Sequence, residues 1–172
     1  NGRASFDARA EFMESLPFLL LIEMIFIFIP ILYHGIYGLY IAFQAKNNVK
    51  SFGYLRNINF FLQRITGIFL LIWIAWHVWG TRMQVALGHA DNTEYFDIMA
   101  DIVNNPITLV LYVLGLLAAT FHFANGLSTF LITWGITIGP RSQKIFGYVS
   151  AILFLAITAL GIMALYGFSV YA

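Results

Sequence analysis

From Pro106 to Thr133 the chain runs without a formal charge for long enough to cross the hydrocarbon core of a bilayer. A backbone in hydrocarbon must satisfy its own N–H and C=O groups, which in a single such segment only an α-helix does. This apolar span, extending to about residue 135, has three companions at roughly residues 16–45, 58–81 and 143–168, each long enough to cross. The expected fold is therefore all-α: a single integral membrane domain over residues 1–172, a helical bundle with four transmembrane helices. Residues 1–15, with Arg3, Asp7, Arg9, Glu11 and Glu14, read as an outer interfacial loop or short helix. The longer loop 82–105 carries Tyr95, Phe96, Met99, Ile102 and Val103 at helical spacing, which predicts a surface helix there.

Composition agrees and removes several functions. The chain is 60% hydrophobic and only 10% charged, with a mean hydropathy of +0.81. Its net charge of +1 is not gathered into a basic face, so nucleic acid is excluded as a partner. The absence of cysteine excludes disulfides, covalent haem attachment and iron–sulfur ligation within the chain. No glycine-rich nucleotide fingerprint appears, so a flavin or nicotinamide belongs to another subunit. The chain opens on Asn1 with no signal peptide, which predicts a natural N-terminal segment before it.

Charge orients the bundle. The connections 46–57 and 139–144 hold Lys46, Lys50, Arg56, Arg141 and Lys144 and no acid. Most of the acids lie in the other two polar segments, so the positive-inside rule places the basic connections in the cytoplasm. With that orientation, residue counts become depths. His34 lies about 18 residues and His122 about 16 residues from the outer end of its helix, roughly 25 Å at 1.5 Å of rise each. Two imidazoles at matched depth on separate helices are what a bis-imidazole b-type haem requires. Gly38 and Gly126 follow them by four residues on the same helix faces and leave room beside a flat macrocycle. The competing reading is that each histidine only hydrogen-bonds a neighbouring helix.

Other polar residues in the spans are fewer and more ambiguous. His77, in Trp76-His77-Val78-Trp79, lies only about 7 Å from the outer end and cannot join the other pair. It is either an interfacial histidine or a ligand whose partner lies outside this chain. His89 reads as a solvated loop residue. Glu23 lies near the level of His77 and, at about 100° per residue, on the same helix face as His34. It is suited to exchange protons with a quinone, or else makes a structural hydrogen bond to a Ser, a Tyr or water. Arg64 either snorkels or pairs with a haem propionate. Gln63 and Thr66 sit at the inner level and are candidates to line the inner haem pocket.

Several stretches then carry a family likeness. Tyr33-His-Gly-Ile-Tyr-Gly38, Ala42-Phe-Gln-Ala-Lys-Asn-Asn48, Leu62-Gln-Arg-Ile-Thr-Gly67, Ala75-Trp-His-Val-Trp79 and Phe121-His-Phe-Ala-Asn-Gly126 are among them, with Glu14-Ser-Leu-Pro-Phe18, Thr133-Trp-Gly-Ile-Thr137 and Pro140-Arg-Ser-Gln143. Together they make the chain resemble the two-haem cytochrome b membrane anchor of succinate:menaquinone oxidoreductase, within the succinate dehydrogenase and fumarate reductase family. The resemblance implies a multi-pass subunit of the bacterial cytoplasmic membrane with five helices, the first lying before this chain. It implies that His34 and His122 ligate the high-potential haem b, and that His77 ligates a second haem b whose other ligand is on that first helix. It implies flavoprotein and iron–sulfur partners at the cytoplasmic face that oxidise succinate, a reaction this subunit does not perform, and menaquinone as the electron acceptor. Some fumarate reductase relatives carry an acid two positions before the third-span histidine. Thr120 stands there, which puts their proton route in doubt. The alternatives are a cytochrome b anchor of a formate dehydrogenase or hydrogenase, and a transporter or anchor without haem.

Overall fold

The computed structural model describes residues 2–91 and 93–171, and all the regular structure among them is helical. Its elements are α1 (Gly2–Glu14), α2 (Leu19–Glu23), a π turn (Met24–Phe28), α3 (Ile29–Gln44), α4 (Leu55–Gly80), α5 (Arg82–Ala86), α6 (Tyr95–Asn104), α7 (Pro106–Thr133) and α8 (Pro140–Val170). Four of the helical stretches, Leu19–Gln44, α4, α7 and α8, are long and apolar enough to cross a membrane. The helices overrun the apolar windows of the sequence. α4 starts at Leu55 and α8 at Pro140, because hydropathy marks the hydrocarbon layer while the helix continues into the polar interface. There Arg56, Asn57, Arg141 and Ser142 are at ease in the first turns.

α7 is the centre. It buries Tyr112, Gly115, Ala118, Thr120 and Ala124, mostly small residues, so that α4 and α8 approach it closely on two sides. Polar atoms between these helices are paired as hydrocarbon demands. Thr120 Oγ1 lies 2.8 Å from Thr158 Oγ1, and Ser150 donates to the Ala124 carbonyl at 2.7 Å. Asn105 caps α7, its side-chain oxygen accepting from the Ile107 N–H at 2.9 Å, and Pro106 occupies the first turn, where no donor is missed. Gly135, at φ 69°, takes the left-handed position just past the other end. Asn105→Ala is expected to lower stability by about 1 kcal/mol, read as an earlier unfolding midpoint in a denaturing detergent titration.

The first span is not a regular helix. Pro30 has no N–H, and its ring crowds the carbonyl one turn back, and the π turn Met24–Phe28 absorbs that conflict. The turn also inserts a residue, so the 100° bookkeeping that put Glu23 and His34 on one face does not hold across it. Beyond the membrane, α1 and α6 form a cap with the last turns of α8. Phe6 packs edge-on to Phe96 and Phe168 at 5.7 and 5.2 Å, and Arg3 forks onto Asp97 at 2.5 and 2.7 Å. The helix expected within 82–105 buries Phe96, Ala100 and Val103 against the bundle. At the opposite, basic end, Arg56 reaches Gln143 and links the connections 46–57 and 139–144.

Candidate functional site: two histidine centres between α4 and α7

The pairing of α4 with α7 places two histidine centres at different depths. Near the basic end, the rings of His34 on α3 and His122 on α7 face each other with centroids 6.1 Å apart and planes at 84°. These two residues lie on separate helices, α3 and α7, each packed on α4, so tertiary packing and not a local motif sets the distance. His122 is half-buried, and its Nδ1 lies 3.2 Å from Thr66 Oγ1 of α4. The Thr66 hydroxyl owns one proton, which goes to the Leu62 carbonyl at 2.8 Å. Its oxygen must therefore accept from His122 Nδ1–H, and that fixes the tautomer with a free lone pair on Nε2.

The surroundings hold the imidazole where it is. Gln63 donates to the His122 backbone carbonyl at 3.0 Å and accepts from the Asn125 side chain at 2.7 Å. Gly67 is required for contact, since a Cβ there would lie 3.0 Å from His122 Cε1. The two glycines expected to make room beside the histidines differ. A Cβ on Gly38 would meet nothing within 4 Å, whereas one on Gly126 would stand 3.2 Å from the Gln63 amide nitrogen. Gly126 thus accommodates Gln63, and open space lies beside Gly38. Arg64 lies along its own helix, beside Phe60. It stacks 3.3 Å from the Phe60 ring centre and donates to the Phe60 carbonyl at 2.9 Å, while its Nε is buried without a partner.

The second centre lies near the cap end. His77 of α4 stacks on Trp73 at 5.2 Å with planes 3° apart, and its Nδ1 is 2.9 Å from the Tyr112 hydroxyl of α7. His77 and His122 are thus kept apart, as their depths require. His89 is exposed in the loop. Glu23 belongs to neither centre. Arg82 clasps both its oxygens, Nε to Oε1 at 2.8 Å and Nη2 to Oε2 at 2.9 Å. The third Arg82 nitrogen donates to the Tyr95 hydroxyl at 2.9 Å, and Tyr95 in turn donates to Glu14 at 2.9 Å. The partner expected for Glu23 was a neutral hydroxyl or water; the structure supplies a guanidinium from the loop.

Chemically, a pair of imidazoles suits an ion that brings its other ligands with it. Among the described residues no group of three or more His, Asp or Glu side chains converges on one point. Metal–imidazole bonds of about 2 Å on each side, plus the distance from ring nitrogen to ring centre, put two axial imidazoles roughly 6 Å apart between centroids. The His34–His122 spacing meets that value, the free Nε2 of His122 supplies a donor, and the orphaned Arg64 Nε offers a cation near the same level. The residues fit an axially ligated macrocycle.

Comparison with known proteins places the chain in a family. The family described as succinate dehydrogenase/fumarate reductase transmembrane subunit matches residues 55–164. The succinate dehydrogenase cytochrome b558 subunit of Bacillus subtilis is 48% identical over 167 residues, covering 97% of this chain and 81% of that protein. No solved structure matches. With four membrane helices, two histidine centres and a sequence likeness along nearly its whole length, the chain belongs to the succinate dehydrogenase/fumarate reductase transmembrane subunit family.

Proposed function

We propose that this membrane anchor subunit carries electrons from an iron–sulfur partner at its basic, cytoplasmic end through b-type haem to menaquinone, and that succinate is oxidised elsewhere in the complex, on a flavoprotein subunit. The observation that carries the reading is the His34–His122 pair, with rings 6.1 Å apart and His122 Nε2 left free by Thr66. When bound, haem b supplies a one-electron couple inside the membrane. The protein's own share is positional. His34 and His122 would hold the haem iron, Thr66 fixes the His122 ring and Gln63 its backbone. Arg64 offers its unpartnered Nε to a propionate, and Gly38 leaves the adjoining space open. His77 would hold a second haem b at the cap-end centre, with Tyr112 against its Nδ1.

At the cap end we assign Glu23 to proton exchange with the quinone. Arg82 engages each Glu23 oxygen once, which holds the carboxylate in place and leaves one lone pair on each oxygen to receive a proton. The reading is tested on the purified complex of the full-length subunit with its flavoprotein and iron–sulfur partners. Reduced-minus-oxidised spectra should show b-type bands that succinate reduces and menaquinone reoxidises. A complex with no b-type absorption overturns the reading, and co-purification of a formate dehydrogenase or hydrogenase subunit instead replaces the electron donor. Within that framework Gly67→Ala forces the His122 ring aside. We expect about tenfold weaker haem retention at the inner site, counted by pyridine haemochrome against protein, with the second haem intact.

A further inference from the structure

The two histidines on α4 and α7 are held reciprocally. His122 of α7 gives its Nδ1 proton to a hydroxyl of α4, that of Thr66, and His77 of α4 faces a hydroxyl of α7, that of Tyr112, across 2.9 Å. We propose that Tyr112 is the positioning residue of His77: its phenol oxygen accepts the Nδ1 proton and so keeps the Nε2 lone pair available to the haem iron of the cap-end centre. This rests on the reading above that His77 is an axial ligand.

Two observations support the assignment. Tyr112 is only 4% exposed and its ring is wedged edge-on against Trp73 at 5.3 Å and Trp76 at 5.5 Å, so the hydroxyl is aimed rather than mobile. Trp73, which stacks flat on His77, is itself pinned by its indole N–H to the Leu111 carbonyl at 3.0 Å, so the plane of the imidazole is fixed along with its edge. The ligand role of His77 then sets the direction. If Tyr112 donated to Nδ1, the ring proton would sit on Nε2 and no lone pair would remain there for iron. With iron on Nε2, Nδ1–H donates and the phenol oxygen accepts. An acceptor on the far nitrogen makes the imidazole a more basic ligand, which favours oxidised iron.

The test uses the whole two-haem complex with Tyr112→Phe, and with a 3,5-difluorotyrosine at position 112 that keeps the ring in place while weakening its oxygen as an acceptor. The expected result is an upward shift of the midpoint potential of one haem and a changed low-spin EPR g value for it, smaller in the fluorinated protein, with the other haem unmoved. Thr66→Val should shift the other haem alone. If both position-112 proteins keep the potentials and g values of the wild type, Tyr112 has no such role. If instead His77→Ala leaves both haems in place, the ligand assignment beneath the proposal falls, and the two failures are told apart by that variant.

Discussion

A complex carrying His122→Ala or His34→Ala is expected to lose one b-type haem completely while the other stays. The two variants should be spectrally alike, and the double variant no worse than either, because residues that act as one unit lose their function together. The two substitutions should differ in stability. His34 is exposed on α3 and makes no hydrogen bond among the described residues, so its removal is nearly free for the polypeptide. His122→Ala strips Thr66 and Gly67 of their packing partner and opens a gap between α4 and α7, which costs about 1–2 kcal/mol on top of the lost haem. Redox titration of the purified complex reads the first effect as the disappearance of the high-potential component, and succinate-driven quinone reduction should fall at least tenfold with it. A reduced spectrum unchanged from wild type in either variant would refute the pairing.

Much of that pair was legible in the sequence, for a geometric reason. A transmembrane helix has a constant rise and nearly fixed ends, so residue counting converts directly into depth, and His34 and His122 could be matched and His77 set apart before any fold was known. Thr66 and Gln63 could be placed at the inner level in the same way, and the structure brings both against His122. What counting does not deliver is rotation and loop conformation. The π turn before Pro30 alters the helical phase of the first span, so the face assigned to Glu23 by periodicity was unsafe. Arg82 lay in a loop with no periodic signal, and nothing local announced that it would fold back onto Glu23. Tyr112 was findable. It stands about six residues in from Pro106, near the depth of His77, and depth matching applied to hydroxyls as well as imidazoles would have paired them. Gly67 and Asn125 gave a weaker signal, as neighbours in sequence of Thr66 and His122.

The second large effect is expected where the cap meets the membrane. Arg82→Met removes three hydrogen bonds at once and leaves the carboxylates of Glu23 and Glu14 without a cation in a site where their side chains are only 14% and 22% exposed. Breaking a fully buried pair costs 3–5 kcal/mol, and partial solvent access reduces that here to about 2–3 kcal/mol. Arg82→Lys keeps the charge but loses the two-pronged fit, so it should fall between wild type and Arg82→Met. The decisive comparison is the double variant Glu23→Gln with Arg82→Met. It carries no stranded charge at that position and should recover at least half of the loss, measured as unfolding midpoints in a detergent titration. A double variant no more stable than Arg82→Met would mean that the pair does not hold α2 to the loop. The pH dependence has a definite sign. The hydrogen bond to Glu23 raises Arg82 above its ordinary value, so it stays charged throughout the working range. Burial first, and then the hydrogen bond to Glu14, raise the Tyr95 hydroxyl above the usual tyrosine range. A group whose pKa is higher in the folded protein stabilises it fully below the unfolded value, so the Tyr95 contribution is constant through neutral pH. It is lost only in strong alkali, as the pH climbs through the raised pKa. The stability gap between wild type and Tyr95→Phe should accordingly be flat across the neutral range and close at alkaline pH. A gap that closed already at neutral pH would mean that the Tyr95 hydroxyl does not donate to Glu14.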